Sequence, residues 1–149
     1  MTRFLFGLLL VVTALFQATI LPRVNPISIS PDFILVLLFL WSSTRSMRES
    51  LFWVFFTGLL LDVLGLDYFG TNALALVIVV VLAGLARQRV LNSNIVIPIV
   101  LVAVATVFHG AMLAVLRGDS PIGLFIPMQA LMHAVMVPFI YLALRVFNR

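Results

Sequence analysis

The chain is a succession of apolar stretches separated by short turns that hold most of its arginines. Predicted helices cover residues 4–21, 31–46, 49–66, 71–87, 94–116 and 121–147. Lipid offers no partner to a backbone N–H or C=O, so an apolar segment of about 20 residues crosses a bilayer as a helix. Of the 149 residues, 64% are hydrophobic and 9% are charged. A soluble domain carries roughly 25% charged residues. The expected fold is an all-α integral membrane protein: a single polytopic domain, residues 1–149, with six transmembrane helices.

Composition removes several functions. Cysteine is absent, which excludes disulfide frameworks, thiolate catalysis and cysteine-based zinc sites. The net charge of +4 comes from nine arginines against five acids. In a soluble protein that balance would suggest nucleic acid as partner. Here the arginines are scattered over short loops with no basic stripe, so they read as topology signals and contacts to membrane lipids, and no nucleic acid is expected.

Taken in order, the first stretch follows Arg3 and is longer than the apolar part of a signal peptide. It lacks a small-residue cleavage site leading to a polar domain, so it reads as an uncleaved span. Residues 22–31 contain Pro22, Pro26 and Pro31 and read as a loop. Ser30 is placed to cap the second helix, with Pro31 at its first position and Asp32 in its first turn. That local role accounts for Asp32 without chemistry. The polar stretch Ser42–Ser50 fits either a re-entrant pair or two spans whose polar ends continue the helices while arginines snorkel; the second is preferred. Asn92, Ser93 and Asn94 suit a cap for the fifth helix, and Pro127 and Pro138 mark kinks in the sixth.

On the third helix Gly58, Asp62 and Gly65 share one face. Glycines there let a neighbour approach closely, and an Asp at bilayer depth must face protein or water. The chain is expected to turn at Gly65 and Gly70, with Thr71 or Asn72 capping the fourth helix.

With both ends in the cytoplasm, Arg3, Arg45, Arg48, Arg87, Arg89, Arg145 and Arg149 lie inside, and only Arg23 and Arg117 lie outside. That asymmetry follows the positive-inside rule. It also sets depth: Gln17, Asp32, Asp62, Asn72, His109, Gln129 and His133 all fall in the outer half, above an almost purely aliphatic inner half. Three readings stay open for this polar cluster: hydrogen bonds that only pack helices, a water-filled pocket toward the exterior, or a titrating relay. His109 and His133 lack the further ligands of a zinc site, and no nucleophile elbow is present, so neither a metal, a cofactor nor an enzyme is expected. Ala14/Ala18, Gly110/Ala114 and Ala130/Ala134 offer small-residue contact faces.

Pro31-Asp32 opening the second helix, an Arg-bearing turn, Gly58-x-x-x-Asp62, and Gly70-Thr71-Asn72-Ala73-Leu74 entering the fourth together resemble the MreD family of bacterial rod-shape-determining proteins. The resemblance implies a non-enzymatic inner-membrane scaffold of the cell-wall elongation complex that helps control peptidoglycan synthesis. Its partners would be MreC, the glycosyltransferase RodA, a class B penicillin-binding protein and MreB filaments. It also implies a fold similar to the S component of energy-coupling-factor transporters. Pro31, Asp32, Gly58, Asp62, Gly70 and Asn72 would be structural or interaction positions. Two other readings are a solute-binding transporter subunit using an outer-half pocket, and an intramembrane enzyme or relay built on Asp62, His109 and His133.

Overall fold

The computed structural model describes residues 3–24, 31–66, 68–92, 96–118 and 125–147, with 88–92, 125 and 143–147 described by backbone alone. Among these residues all regular structure is helical: α1 Arg3–Thr19, α2 Leu21–Val24, α3 Phe33–Thr44, α4 Met47–Gly65, α5 Thr71–Asn92, α6 Val96–Arg117 and α7 Phe125–Phe147. The single turn α2 prolongs α1, since the Ile20 N–H still donates to the Phe16 carbonyl. Among the described residues, Arg3–Val24 and Val96–Arg117 are the two helices long and apolar enough to cross a membrane by length and composition.

The helix α3 is the centre of the bundle. Every residue from Ile34 to Trp41 is buried, and α1, α4, α5, α6 and α7 all pack on it. Apolarity alone does not set α3 apart, since hydrocarbon accepts apolar side chains as readily as a protein core does; its length does. At 12 residues it is about 18 Å long, well short of a bilayer core of about 30 Å. The other long helices wrap it in the order α1, α4, α5, α6, α7, each touching the next.

Aromatic rings fill the space between α1, α3 and α4. Phe6 stacks on Trp41 with ring centres 3.8 Å apart, and Trp53 meets Phe6 edge-on at 5.8 Å. Each such ring removes about 150–250 Å² from contact with solvent. The exterior is apolar as well: Leu8 and Val12 on α1, Phe55 on α4, Phe108 on α6 and Phe139 on α7 are all exposed. A surface of that kind suits hydrocarbon rather than water.

Several element bounds differ from expectation, each for a local reason. Asp32, not Ser30, caps α3, because its own carboxylate accepts the Leu35 N–H; Pro31 therefore precedes the helix, and Ser30 lies outside the described residues. Ser46 caps α4 by accepting the Glu49 N–H, which moves the α3–α4 turn from residues 47–48 to Arg45 and Ser46. Ser46 and Glu49 hold the spacing of a capping box. Leu66, not Gly65, takes the left-handed conformation after α4, with φ 56°. The helix α5 continues past Arg87 to Asn92, since Arg, Gln and Leu are good helix formers and no breaker intervenes. The expected cap at Ser93 and Asn94, and the expected start of the sixth helix at 121, lie outside the described residues.

Candidate functional site

The two carboxylates that sequence singled out each organise a buried knot of hydrogen bonds. Asp62 sits near the end of α4 and is 1% exposed. Its Oδ1 accepts the Asn72 backbone N–H at 2.9 Å and the Asn72 side-chain amide at 2.8 Å. Its Oδ2 accepts the Gly70 N–H at 2.7 Å. The Gly70 carbonyl accepts the Leu74 N–H, so Gly70 is the cap residue of α5 and has no side chain to cap with. Asp62 supplies the missing acceptor from the preceding helix, placing negative charge at the positive end of α5.

Gly58 makes this possible. A methyl group there would fall 2.6 Å from the Ala73 nitrogen and closer still to its Cα. The two backbones touch, which brings the Asp62 carboxylate, one turn along α4, within reach of the first turn of α5. Gly70, at φ 95°, adopts a turn conformation that L-residues disfavour. Gly65, the last residue of α4, is exposed. Asn72 is the second residue of α5 and is held by Asp62 rather than serving as the expected cap.

The Asp32 knot is built from four helices. Asp32 Oδ1 accepts the Leu35 N–H and the Gln17 side-chain amide, both at 3.1 Å. Its backbone N–H donates to His133 Nε2 at 2.6 Å. On the other side of the ring, His133 Nδ1 lies 2.8 Å from Thr106 Oγ1, which is 2.8 Å from the Val102 carbonyl. Only one proton arrangement satisfies the chain. A backbone N–H can only donate, so Nε2 accepts; the Thr106 hydroxyl gives its one proton to Val102; Nδ1 therefore carries the proton and donates to Thr106. These contacts tie α1, α3, α6 and α7 to one point, and Asp32, Thr106 and His133 are all buried.

His109 lies one turn beyond Thr106 on α6 and is 5% exposed. Its Nε2 and the Gln17 Oε1 are buried and lack a hydrogen-bond partner among the described residues. Buried polar atoms are nearly always paired, so these two mark a polar spot at the edge of the knot. Gln129, one turn before His133, is half-buried and engaged, and Pro31 is half-buried beside Asp32. No group of three His, Cys, Asp or Glu able to hold a metal occurs among the described residues.

The structure thus gathers Gln17, Asp32 and His133 in one place and Asp62, Gly70 and Asn72 in another. Thr106, which orients His133, was not singled out; its only signal was the three-residue step to His109. The far end of α3 is also less aliphatic than expected. Ser42, Ser43 and Ser50 are buried there, and the Ser43 and Ser50 hydroxyls donate to Phe39 and Ser46 carbonyls one turn back. Such back-bonding satisfies a hydroxyl within its own helix, so Ser43 and Ser50 need no partner helix, whereas the buried Ser42 hydroxyl has no partner among the described residues.

A family model described as rod shape-determining protein MreD matches residues 1–147 of the chain. Searches of curated proteins and of solved structures give no match.

Proposed function

The chain belongs to the MreD family of rod-shape-determining membrane proteins, and from that premise we propose a non-enzymatic scaffold in the bacterial cytoplasmic membrane. In this reading it is a multi-pass domain with both termini inside that docks MreC and so helps position RodA, a class B penicillin-binding protein and MreB filaments during wall synthesis. The likeness to the S component of energy-coupling-factor transporters belongs to the same proposal.

The observation that carries it is how the motif residues are used. Gly58, Asp62, Gly70 and Asn72 fasten α4 to α5, and Asp32 fastens α3 to α1 and α7. Both carboxylates are committed to helix N–H groups, which favours a rigid docking body over acid–base work. The orientation rests on the arginine asymmetry: Arg45 and Arg48 flank the α3–α4 turn, and Arg3 pairs with Glu49 beside it at 3.3 Å.

Co-purification of MreC in mild detergent tests the docking role. Asp62→Ala and Gly58→Leu are expected to weaken recovery of MreC and to round the cells. Unchanged recovery and unchanged cell shape in both variants would remove the scaffold reading. Reporter fusions at either terminus test the orientation, and an external terminus would reverse it.

A second reading, a solute-binding transporter subunit, draws on one feature: the unpaired, buried His109 Nε2 and Gln17 Oε1 could accept a polar ligand. Calorimetric titration of the purified protein with vitamins tests it, and absence of heat beyond dilution counts against it.

A further inference from the structure

The end of the molecule opposite the Asp32 knot contains a cavity of about 710 Å³ between the first turn of α1 and the α3–α4 turn. Its lining has two characters. Arg3, Arg48 and Glu49 provide charge, while Phe4, Phe52 and Trp53 provide an aromatic wall. We propose that this cavity holds the headgroup of an anionic phospholipid, with the acyl chains lying on the aromatic wall.

Three observations carry the assignment. Arg3 forms an ion pair with Glu49 at 3.3 Å, and its side chain is 78% exposed. Arg48 is exposed in the first turn of α4, where a cation opposes the helix dipole. Helix stability therefore does not favour Arg48 there, and a phosphate would offset that cost, since it would sit on both guanidinium groups and on the positive end of α4. Phe4 and Phe52 remain 80% and 64% exposed, and the apolar strip continues along α1 through Leu5, Leu8 and Val12 and along α4 through Phe55. A soluble anion would use the rim and leave that strip bare. An anionic lipid uses both, and basic pockets at helix ends are where such headgroups bind.

The proposal rests on the chain lying in a membrane and not on its docking MreC, so the two fail separately. Full-length protein is reconstituted in nanodiscs of phosphatidylcholine containing a minor fraction of brominated lipid, either phosphatidylglycerol or phosphatidylcholine. Quenching of Trp53 is read after subtracting a Trp53→Phe variant, which retains only Trp41. Brominated phosphatidylglycerol is expected to be enriched at Trp53 by about five-fold or more over brominated phosphatidylcholine, the effect of about one surface arginine. The Arg3→Gln, Arg48→Gln double variant should remove the preference. Arg23→Gln, at the other end of α1 and α2, should retain it. Equal quenching by the two lipids in the wild type, or a preference that survives the double variant, would overturn the proposal. Relief of the quenching by inorganic phosphate at constant ionic strength would assign the rim to a soluble anion and overturn it equally.

Discussion

Asp32 and Asp62 are the same residue type, equally hidden, and both accept N–H groups at a helix start; they differ in how far along the chain their partners lie. The partners of Asp62 are eight and ten residues away, all within the α4–α5 hairpin. Beyond Leu35 in its own helix, the partners of Asp32 lie 15 residues away at Gln17, which its carboxylate binds, and 101 away at His133, which its backbone N–H binds. A short loop closes with little entropic penalty, so the Asp62 knot can form as soon as α4 meets α5. The Asp32 knot waits for α1, α3, α6 and α7 to be in place. Asp62 makes a hairpin with its carboxylate, whereas Asp32 closes a bundle with its carboxylate and its backbone N–H together.

The largest effect should come from Gly58→Leu. The Ala73 backbone cannot withdraw from a new side chain without parting α4 from α5, and overpacking of this kind costs about 3 kcal/mol or more. Unfolding free energy in mixed micelles should fall by that amount, and the Asp62 knot should be lost with it. A near-neutral result would mean that the close approach of the two helices is not what holds the hairpin.

Asp62→Ala comes next, at about 2–3 kcal/mol, because it strands buried donors of Gly70 and Asn72 at once. Asp62→Asn keeps one acceptor oxygen and should lose roughly half as much. The ratio sharpens the comparison: if the charge at the start of α5 mattered more than the hydrogen bonds, Asn would be as harmful as Ala.

Breaking the Asp32 knot should act on a different part of the molecule. His133→Ala removes the acceptor for the Asp32 N–H and leaves a small cavity, for about 2 kcal/mol. Thr106→Val removes only the group that receives the Nδ1 proton and should cost about 1 kcal/mol. Since α7 packs on α3 and α6 alone among the described helices, both changes should loosen α7. The chain has no cysteine, so Val137→Cys, at a fully buried position of α7, gives a clean probe. Its labelling by a membrane-permeant maleimide should accelerate in the His133 and Thr106 variants and stay slow in the Asp62 variants. Equal acceleration in all of them would merge the two knots into one cooperative unit.

How much of this was legible in the sequence follows the same division. Helix count, the apolar exterior and the pairing of Gly58 with Asp62 depend on local spacing, and one-dimensional patterns report local spacing well. That Asp62 would reach Gly70 and Asn72 was half-visible, since all three lie at one end of a predicted hairpin. The bond from Asp32 to His133 was not. It depends on the rotation of α7 about its axis and on its height beside α3, and no period in the sequence encodes either. The central place of α3 was hidden for a similar reason: a short apolar run does not tell a helix surrounded by five others from one that faces lipid. The Ser46 cap, with Glu49 three residues on, was written in the sequence and is a missed feature that a closer local reading would have recovered.

The smallest effect separates the two regions from the opposite direction, by stabilising one of them. Leu66 ends α4 with φ 56°, a conformation where a side chain brings steric strain, and it is almost fully exposed. Its N–H still donates to the Asp62 carbonyl, so the left-handed turn is what aims the chain back toward Gly70. Leu66→Gly removes the strain without removing a buried contact and should raise stability by up to about 1 kcal/mol. Because the gain is confined to the hairpin, it should partly offset Asp62→Asn and leave the labelling rate at Val137→Cys in a His133→Ala background unchanged. A Leu66→Gly variant that also slowed that labelling would show that strengthening the α4–α5 turn is felt across α3, and the two carboxylates would then have to be treated as a coupled pair.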